Sequence, residues 1–383
     1  MSSGALEMLS TEVSGAISAR IFIGKSGFAD LQPEWDKLAT ACGYHFLHFT
    51  AWYQAELECL ENTNTVFFVA LYDGGRLFAV LPLERVFLRK GRLSLPVVQL
   101  FYPNEMGVND VLADRPLAPY RKLLQATLRR ELSFFAFIRW QCVLENGCAI
   151  GLLPPEKKPR ITHASKYIDF SQGFTTFWDS YSSKFRKGLL KKLRKAEEQG
   201  ELRLVCATTT EDLPQAFEDF LTVEDSGWKG ERGTSIKKQP KKLAFYRHLL
   251  KEYGERGICQ INILYSKDVP IAAQFGVRVG RRLFLLKIGF REDYAAVSPG
   301  YLVLYKLVEE SAARGEIDSV SFVTGVNWID RWHPRHLDVG IFYLGNGSWL
   351  SDIIVTGLVA AIEIRERRKQ PAQATDAADG DDS

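Results

Sequence analysis

The sequence lacks most of the short motifs that mark an enzyme class. Its 383 residues contain no Gly-x-Ser-x-Gly elbow, no P-loop and no dinucleotide fingerprint, which argues against hydrolase, NTPase and dinucleotide-binding functions. The six cysteines form no C-x-x-C pair, and no histidine cluster accompanies them. Neither a disulfide framework nor a metal site is therefore expected.

Long apolar runs and a strong charge imbalance are also missing. No run of about 18 apolar residues occurs, so we predict no membrane span. The first residues show no basic leader followed by an apolar core, so no secretory signal is expected and a cytoplasmic location is predicted. A net charge of +3 is nearly balanced and predicts no DNA partner. A hydrophobic content of 46% is enough for packed cores.

Two parts of the chain carry the same order of predicted elements: three strands, a helix and another strand. In the first part the strands are 66–72, 76–88, 97–102 and 134–144, with a helix at 117–132. In the second part the strands are 260–266, 271–279, 283–290 and 318–322, with a helix at 299–314. Short apolar runs bounded by turn residues are typical of strands. The repeat predicts an α/β protein with two similar domains.

Composition places the boundaries of these domains. The segment 154–162 is rich in proline and lysine, as in a connector. We predict domains at 1–160 and 161–367. The last residues, 368–383, are small, polar and acidic, and we predict a disordered tail.

The helix predicted at 299–314 opens with Ser298, Pro299 and Gly300. Serine is a good N-cap, and proline suits the first helical position. Glycine lets an anion approach the unpaired N–H groups of the first turn. Gly289, near the end of the preceding strand, indicates a kink or a close backbone approach. The first part has no glycine at its helix start, so the second is the one expected to bind a phosphate.

The segment 290–305, "FREDYAAVSPGYLVLY", resembles the CelD-like branch of the GNAT acetyltransferases, which are related to the Fem-type aminoacyl ligases. Segments 34–58 and 177–204 are similar to the family's N-terminal domain and its arginine-rich entry helix, and the likeness covers 28–345. The resemblance implies two tandem GNAT-like mixed-sheet domains. The working site would lie in the second domain and at the junction, and the first would not bind the cofactor.

The resemblance also implies acetyl-CoA, or another acyl-CoA, as the cofactor. Its pantetheine arm would pair with the strand that ends at residue 290, and its pyrophosphate would lie on the helix start. The residues assigned to it are Gly289, Phe290, Ser298, Pro299, Gly300 and Tyr301.

One departure from the family stands out. After the last core strand the family commonly has Tyr-Lys, but here the segment is "FVTGVNWIDRWHPR" without a lysine. Either the substrate differs, or another part of the chain fills the role of that lysine.

Acyl transfer to an amine needs a group that takes the amine's proton and donors for the carbonyl oxygen. Backbone N–H groups near Gly289 and Phe290 are candidate donors. The candidate catalytic residues are Glu224, Asp330, His333 and Tyr294. The candidate substrate-binding residues are Trp228, Lys229, Trp328, Arg331 and Trp332. His333 precedes Pro334, so we predict an extended backbone there. His333 and His336 lack a third metal ligand.

The segment 183–200 predicts an amphipathic helix with a densely positive polar face. That face is either a solvated surface or one that meets an anion, such as the CoA phosphates, a glycan precursor or an aminoacyl-tRNA.

The sequence thus predicts an acyl-CoA-dependent N-acyltransferase, an N-acetyltransferase in its simplest form. The acceptor would be an amine or amino-sugar precursor of the envelope or of an exopolysaccharide. One alternative is a Fem-like aminoacyltransferase that uses aminoacyl-tRNA, the only case in which tRNA is a partner. The other is a non-catalytic GNAT-fold binding protein.

Overall fold

The structure, a computed structural model, describes residues 10–13, 17–90, 93–101, 107–227 and 232–376. The first half contains β1 (Ser10–Val13), β2 (Ile17–Ile23), α1 (Gly24–Cys42), α2 (Thr50–Cys59), β3 (Val66–Asp73), β4 (Arg76–Lys90), β5 (Leu93–Leu100), β6 (Leu112–Ala113), α3 (Arg121–Glu131), β7 (Phe137–Leu144) and β8 (Arg160–Asp169). The second half contains α4 (Phe174–Asp179), α5 (Ser183–Gln199), β9 (Leu202–Ala207), α6 (Leu213–Asp225), α7 (Pro240–Glu255), β10 (Cys259–Ser266), β11 (Val269–Val279), β12 (Arg282–Phe290), α8 (Pro299–Arg314), β13 (Ser319–Ser321), β14 (Arg335–Gly345) and α9 (Trp349–Asp376).

Both halves repeat one element order. A strand is followed by two helices, three antiparallel strands, a helix and two more strands. In each half the strands that flank the last helix are parallel neighbours, β5 with β7 and β12 with β13. The prediction of an α/β fold with two tandem mixed-sheet units is confirmed. The two helices near the start of each repeat were not predicted.

The two halves exchange their last strands. Strand β8 follows β7 along the chain but pairs with β13, and β14 follows β13 but pairs with β7. Strands β8 and β14 also pair with each other. One continuous sheet therefore runs through both halves in the described part of the chain. The predicted connector 154–162 overlaps the start of β8.

An apolar core also joins the halves. Helix α2 packs on α7, and the rings of Trp52 and Phe245 lie 5.1 Å apart between centroids. Phe46 meets Phe284 of β12 at 5.5 Å. Each large side chain buried in this way stabilises the fold by roughly 1.5–3 kcal/mol. The contact surface between the halves is therefore part of the fold itself.

Helix α8 has the bounds that its sequence predicts. Pro299 stands at its first position, and Leu304 and Val308 lie in the core. Gly315 ends the helix in the left-handed region, at φ +67°, with its N–H donating to the carbonyl of Ser311. The predicted helix at 183–200 is α5, where the Ser182 hydroxyl accepts from the N–H of Phe185.

Helix α9 packs on the sheet through Val355 and was not predicted. It reaches Asp376 and so overlaps the predicted tail at 368–383, and residues 377–383 lie outside the described residues. Among the helices in the described part of the chain, none has a stretch long and apolar enough to cross a membrane.

Candidate active site

The parallel strands β12 and β13 separate soon after they meet. They pair only from Arg282 to Phe284, against Ser319 to Ser321. From residue 285 onward, the edge of β12 on that side has no strand partner in the described part of the chain. A bulge lies on its other side, where the pairing with β11 shifts between Phe275 and Gly276. The gap beyond Phe284 provides space for a ligand, and we call this part of β12, which no described strand pairs with on that side, the open edge.

A cavity of about 580 Å³ occupies this gap between β12 and the start of α8. Its walls are mainly apolar and include Ile288, Val303 and Val326. The predicted site residues that line it are Glu224, Gly289, Phe290, Ser298, Pro299, Gly300, Tyr301 and Trp328. All the residues assigned to the cofactor from the sequence therefore meet in one cavity.

Ser298 differs from its predicted role as an N-cap. Its backbone is left-handed, at φ 54° and ψ 64°, and its side chain caps no N–H of α8. The hydroxyl instead accepts a hydrogen bond of 2.6 Å from Nζ of Lys192, on α5. The same ammonium lies 5.8 Å from the centre of the Tyr301 ring. A cation thus stands at the helix N-terminus, where the helix dipole already favours an anion.

Gly300 leaves this helix start open. A Cβ built there would have Cδ1 of Phe290, at 4.0 Å, as its nearest neighbour. Gly289 shows the close backbone approach that the sequence predicts, because a Cβ there would meet Cα of Glu224 at 3.1 Å. The close approach at Gly289 is therefore that of helix α6 to β12.

Glu224 lies on the inner side of the cavity. It is buried near the end of α6, and its Oε2 accepts from the N–H of Ile236 at 2.8 Å. Glu292 brings a second carboxylate to the lining. Two carboxylates beside apolar walls suit an amine acceptor, which carries positive charge until it loses its proton.

Tyr301 and the two tryptophans form one cluster beside the cavity. The Tyr301 hydroxyl donates to the carbonyl of Trp328 at 2.7 Å, and burial raises the pKa of Tyr301. Trp332 is buried and stacks on the Tyr301 ring at 6.1 Å. Trp328 lines the cavity, whereas Trp332 is outside the lining and contacts it through Tyr301.

Other predicted residues lie elsewhere. Asp330 is exposed and pairs with Nζ of Lys166 at 2.6 Å. Arg331 is exposed on the same turn, and Tyr294 is half-buried outside the cavity lining. Trp228 and Lys229 lie outside the described residues. Lys166, on β8, places a lysine beside the segment at 322–335, which lacks the lysine that the family commonly has there.

His333 lines a separate hollow beside Trp332 and does not reach the cavity. Its backbone is left-handed, at φ 43° and ψ 55°, and the prediction of an extended conformation is wrong. Its N–H closes a turn onto the carbonyl of Asp330 at 3.0 Å, which overrides the local preference before proline. No group of His, Cys, Asp or Glu in the described part of the chain is arranged to hold a metal ion.

Sequence reasoning missed Lys192 and Gln274 as site residues. Lys192 was one of several lysines on a basic helix, and nothing local distinguishes it from its neighbours. Gln274 is a buried polar residue within the apolar strand segment "IAAQFGV", a signal that the sequence does contain.

Comparisons with known proteins agree with this geometry. The family model described as an acetyltransferase (GNAT) domain matches residues 183–332, which include the cavity and the basic helix. No curated protein sequence matches the chain significantly.

Two solved structures share the fold over most of their length. FemX is similar with a TM-score of 0.54 and 10% identity, over 82% of this chain and 96% of that chain. The C-terminal domain (DUF2156) of a candidate lysylphosphatidylglycerol synthetase from Agrobacterium fabrum is similar with a TM-score of 0.51 and 9% identity, over 87% and 97%. A tandem GNAT protein from the clavulanic acid biosynthesis pathway has a TM-score of 0.45 and 11% identity, over 86% and 99%. Together with the matched GNAT domain, the cavity supports a GNAT-fold acyltransferase.

Proposed function

We propose that the chain is an acyl-CoA-dependent N-acyltransferase, in its simplest form an N-acetyltransferase. The acceptor would be an amine or amino-sugar precursor of the envelope or of an exopolysaccharide. The observation that carries the proposal is the cavity that runs from the open edge of β12 to the N-terminus of α8. A cytoplasmic location and the CelD-like branch belong to the same proposal.

The residues present suit an acyl-CoA. The start of α8 at Gly300, with Lys192 beside it, suits the diphosphate because both offer positive charge at close range. The apolar walls and the space beside β12 beyond Phe284 suit an extended pantetheine arm. When bound, the acyl-CoA supplies an activated acyl group, so the protein has mainly to orient two substrates and move a proton.

Glu224 is the strongest candidate to receive the proton of the acceptor amine, since it is a buried carboxylate in the cavity lining. Trp328 would hold the acceptor on the opposite side. Trp228 and Lys229 stay candidates for the same task. Asp330 and His333 are weaker candidates because they stand outside the cavity.

Calorimetric titration of the full chain with acetyl-CoA tests the proposal. We expect saturable binding, and we expect Gly300→Glu to weaken it at least about tenfold, because a carboxylate would oppose the diphosphate. Gly357→Glu is the matched control, since Gly357 is also a helical glycine with open space around it. Absence of binding by the unmodified chain would contradict the proposal.

The second candidate function is a Fem-like aminoacyl transfer from charged tRNA. Exposed basic residues form a stripe along α5 that a polyanion could contact, namely Lys184, Lys187, Lys191 and Arg194. Lys192 does not discriminate between the two functions, because it reaches the cavity. The fold of FemX is compatible with this alternative.

Charge reversal of Lys187, Lys191 and Arg194 separates the two candidates. The triple variant should lose salt-dependent tRNA binding in a gel-shift assay if the alternative holds. It should leave the Kd for acetyl-CoA nearly unchanged if the first proposal holds. A non-catalytic binding protein would show no heat with any acyl-CoA in the same titrations.

A further inference from the structure

Three buried amide side chains lie on neighbouring strands under helix α8. They are Gln260 and Asn262 on β10, and Gln274 on β11, and each is at most 5% exposed. Asn262 and Gln274 are direct partners across the two strands. Amides are costly to bury in an apolar layer unless each is hydrogen-bonded, so their arrangement calls for a reason.

The hydrogen bonds of this row all run in one direction. Nε2 of Gln260 donates to Oδ1 of Asn262 at 2.8 Å, and Nδ2 of Asn262 donates to Oε1 of Gln274 at 3.1 Å. Because the oxygen of Gln274 is the acceptor, its amide nitrogen is the end of the row. The orientation of the last amide is therefore set by the one behind it.

That last amide group faces the cavity. Gln274 is part of the cavity lining, opposite Ile288 of β12. Within the described residues, no protein acceptor takes a hydrogen from its Nε2, and this atom is not sealed from solvent. The cavity thus contains an oriented NH₂ group that can donate to a ligand.

We propose that Gln274 donates to the carbonyl oxygen of the acyl donor, so that this end of the cavity is a carbonyl-binding subsite. The inference rests on the proposed function. A neutral donor selects an oxygen that carries no proton, whereas a protonated amine would be drawn to the carboxylates of Glu224 and Glu292. The two substrates are thereby assigned to different polar groups of one cavity.

A hydrogen bond from Gln274 would stabilise the charge that develops during acyl transfer. The acceptor nitrogen forms a bond to the carbonyl carbon, and the carbon–sulfur bond breaks. Negative charge collects on the carbonyl oxygen and then leaves with sulfur, which receives the proton lost by the amine. An NH₂ group fixed in place by Asn262 meets that charge without having to reorient, which lowers the barrier.

Isotope-edited infrared spectroscopy of bound [1-¹³C]acetyl-CoA tests the inference without a known acceptor. A hydrogen bond to the thioester oxygen lowers the frequency of its carbonyl band. We expect a lower frequency on the unmodified chain than on Gln274→Glu, which can still accept from Asn262 but, when ionised, cannot donate. Gln274→Met replaces that variant if it does not fold.

Asn262→Asp is a second test that leaves the cavity lining intact. An aspartate at position 262 can only accept hydrogen bonds when ionised, so it would accept from Gln260 and from the amide nitrogen of Gln274. The Gln274 amide would have to rotate by about 180° to donate, and its oxygen would then face the cavity. The carbonyl band should move to higher frequency, as in Gln274→Glu. Gln260→Met removes the donor that orients Asn262, so the band should move in the same direction as in Asn262→Asp, by a smaller amount.

Acetyl transfer to hydroxylamine gives a second readout. For Gln274→Glu we expect kcat to fall about 100-fold, and the Kd for acetyl-CoA to change by at most about tenfold. If acetyl-CoA binds but the band and kcat are the same in all variants, the inference is wrong and the proposed function stands. If the unmodified chain does not bind acetyl-CoA, both are wrong.

Discussion

The two halves of the chain use the space beside their parallel strands differently. In the second half, β12 and β13 separate after Phe284 and leave a cavity. In the first half, β5 and β7 pair only at two positions, and Asn109 then lies beside β7 as an isolated parallel bridge to Val143. Asn109 thus fills the position beside β7 at Val143, where β5 no longer pairs with β7.

Hydrogen bonds hold Asn109 there. Its Nδ2 donates to the carbonyl of Phe101 at 3.2 Å, and its N–H donates to the carbonyl of Cys142 at 2.6 Å. Its Oδ1 accepts from the N–H of Asp110, and the residue is 2% exposed. The repeated fold therefore does not repeat the site: the first half fills the gap with its own chain, and the second half has a cavity there.

Separating the halves should have the largest effect. Because β14 pairs with β7 and the core between α2 and α7 is shared, we expect neither 1–160 nor 161–367 to unfold cooperatively on its own. Circular dichroism during heating measures this, and mixing the two fragments should restore a transition. A fragment 161–367 that folds and binds acetyl-CoA by itself would contradict the account.

Removing the internal contact of the first half should destabilise the chain without affecting the second. Asn109→Ala leaves two buried hydrogen-bond partners unpaired, and we expect a loss of about 2–6 kcal/mol in the free energy of unfolding. Urea denaturation measures that loss, and calorimetry should give an unchanged Kd for acetyl-CoA. A large rise in Kd would mean that the ligand binds in the first half.

His45 makes the contact between the halves sensitive to pH. Its ring lies 4.6 Å from that of Phe284 on β12, and Nδ1 accepts from the N–H of Leu47. Burial, with help from His48, lowers the pKa of His45 from 6.5 to about 3. Between these two pH values the unfolded chain binds a proton at His45 and the folded chain does not. The free energy of unfolding therefore decreases as the pH falls from 6.5 towards 3.

The variant His45→Asn isolates this contribution because asparagine keeps an acceptor near the position of Nδ1. Between neutral pH and a pH of about 4, the unmodified chain should lose about 3 kcal/mol more unfolding free energy than the variant. Urea denaturation across that range measures the difference. Equal losses would show that His45 is protonated in the folded chain.

Lys192 tests the second half, because its Nζ contacts Ser298 at the start of α8. Lys192→Met should raise the Kd for acetyl-CoA about 10- to 100-fold, the value of one charged hydrogen bond. Lys191→Met, at the exposed neighbouring position, is the control and should change it little. Equal effects would point to general electrostatic attraction instead of a specific contact.

Local patterns predict much of this molecule. The strands around the cavity and helix α8 are short apolar runs bounded by turn residues, and their bounds match to within a few residues. The residues assigned to the cofactor lie close together in sequence, on adjoining strand and helix ends, so they meet as expected. That part of the site depends on few long-range contacts.

Features that depend on distant contacts could not be predicted. The exchange of β8 and β14 is a choice of partner that no periodicity records. Lys192 reaches Ser298 across 106 positions of sequence. At His333, the turn closed onto Asp330 determines the backbone, although the following proline alone favours an extended conformation. The domain boundaries at 160 and 367 stay predictions.

A crystal structure of the full chain with CoA would show directly where the ligand binds. We predict the diphosphate at Gly300 and Lys192, the arm along the open edge of β12, and a first half in which Asn109 keeps its contact with Phe101. Density for CoA beside β5 and β7, or no density at a saturating concentration, would contradict the account.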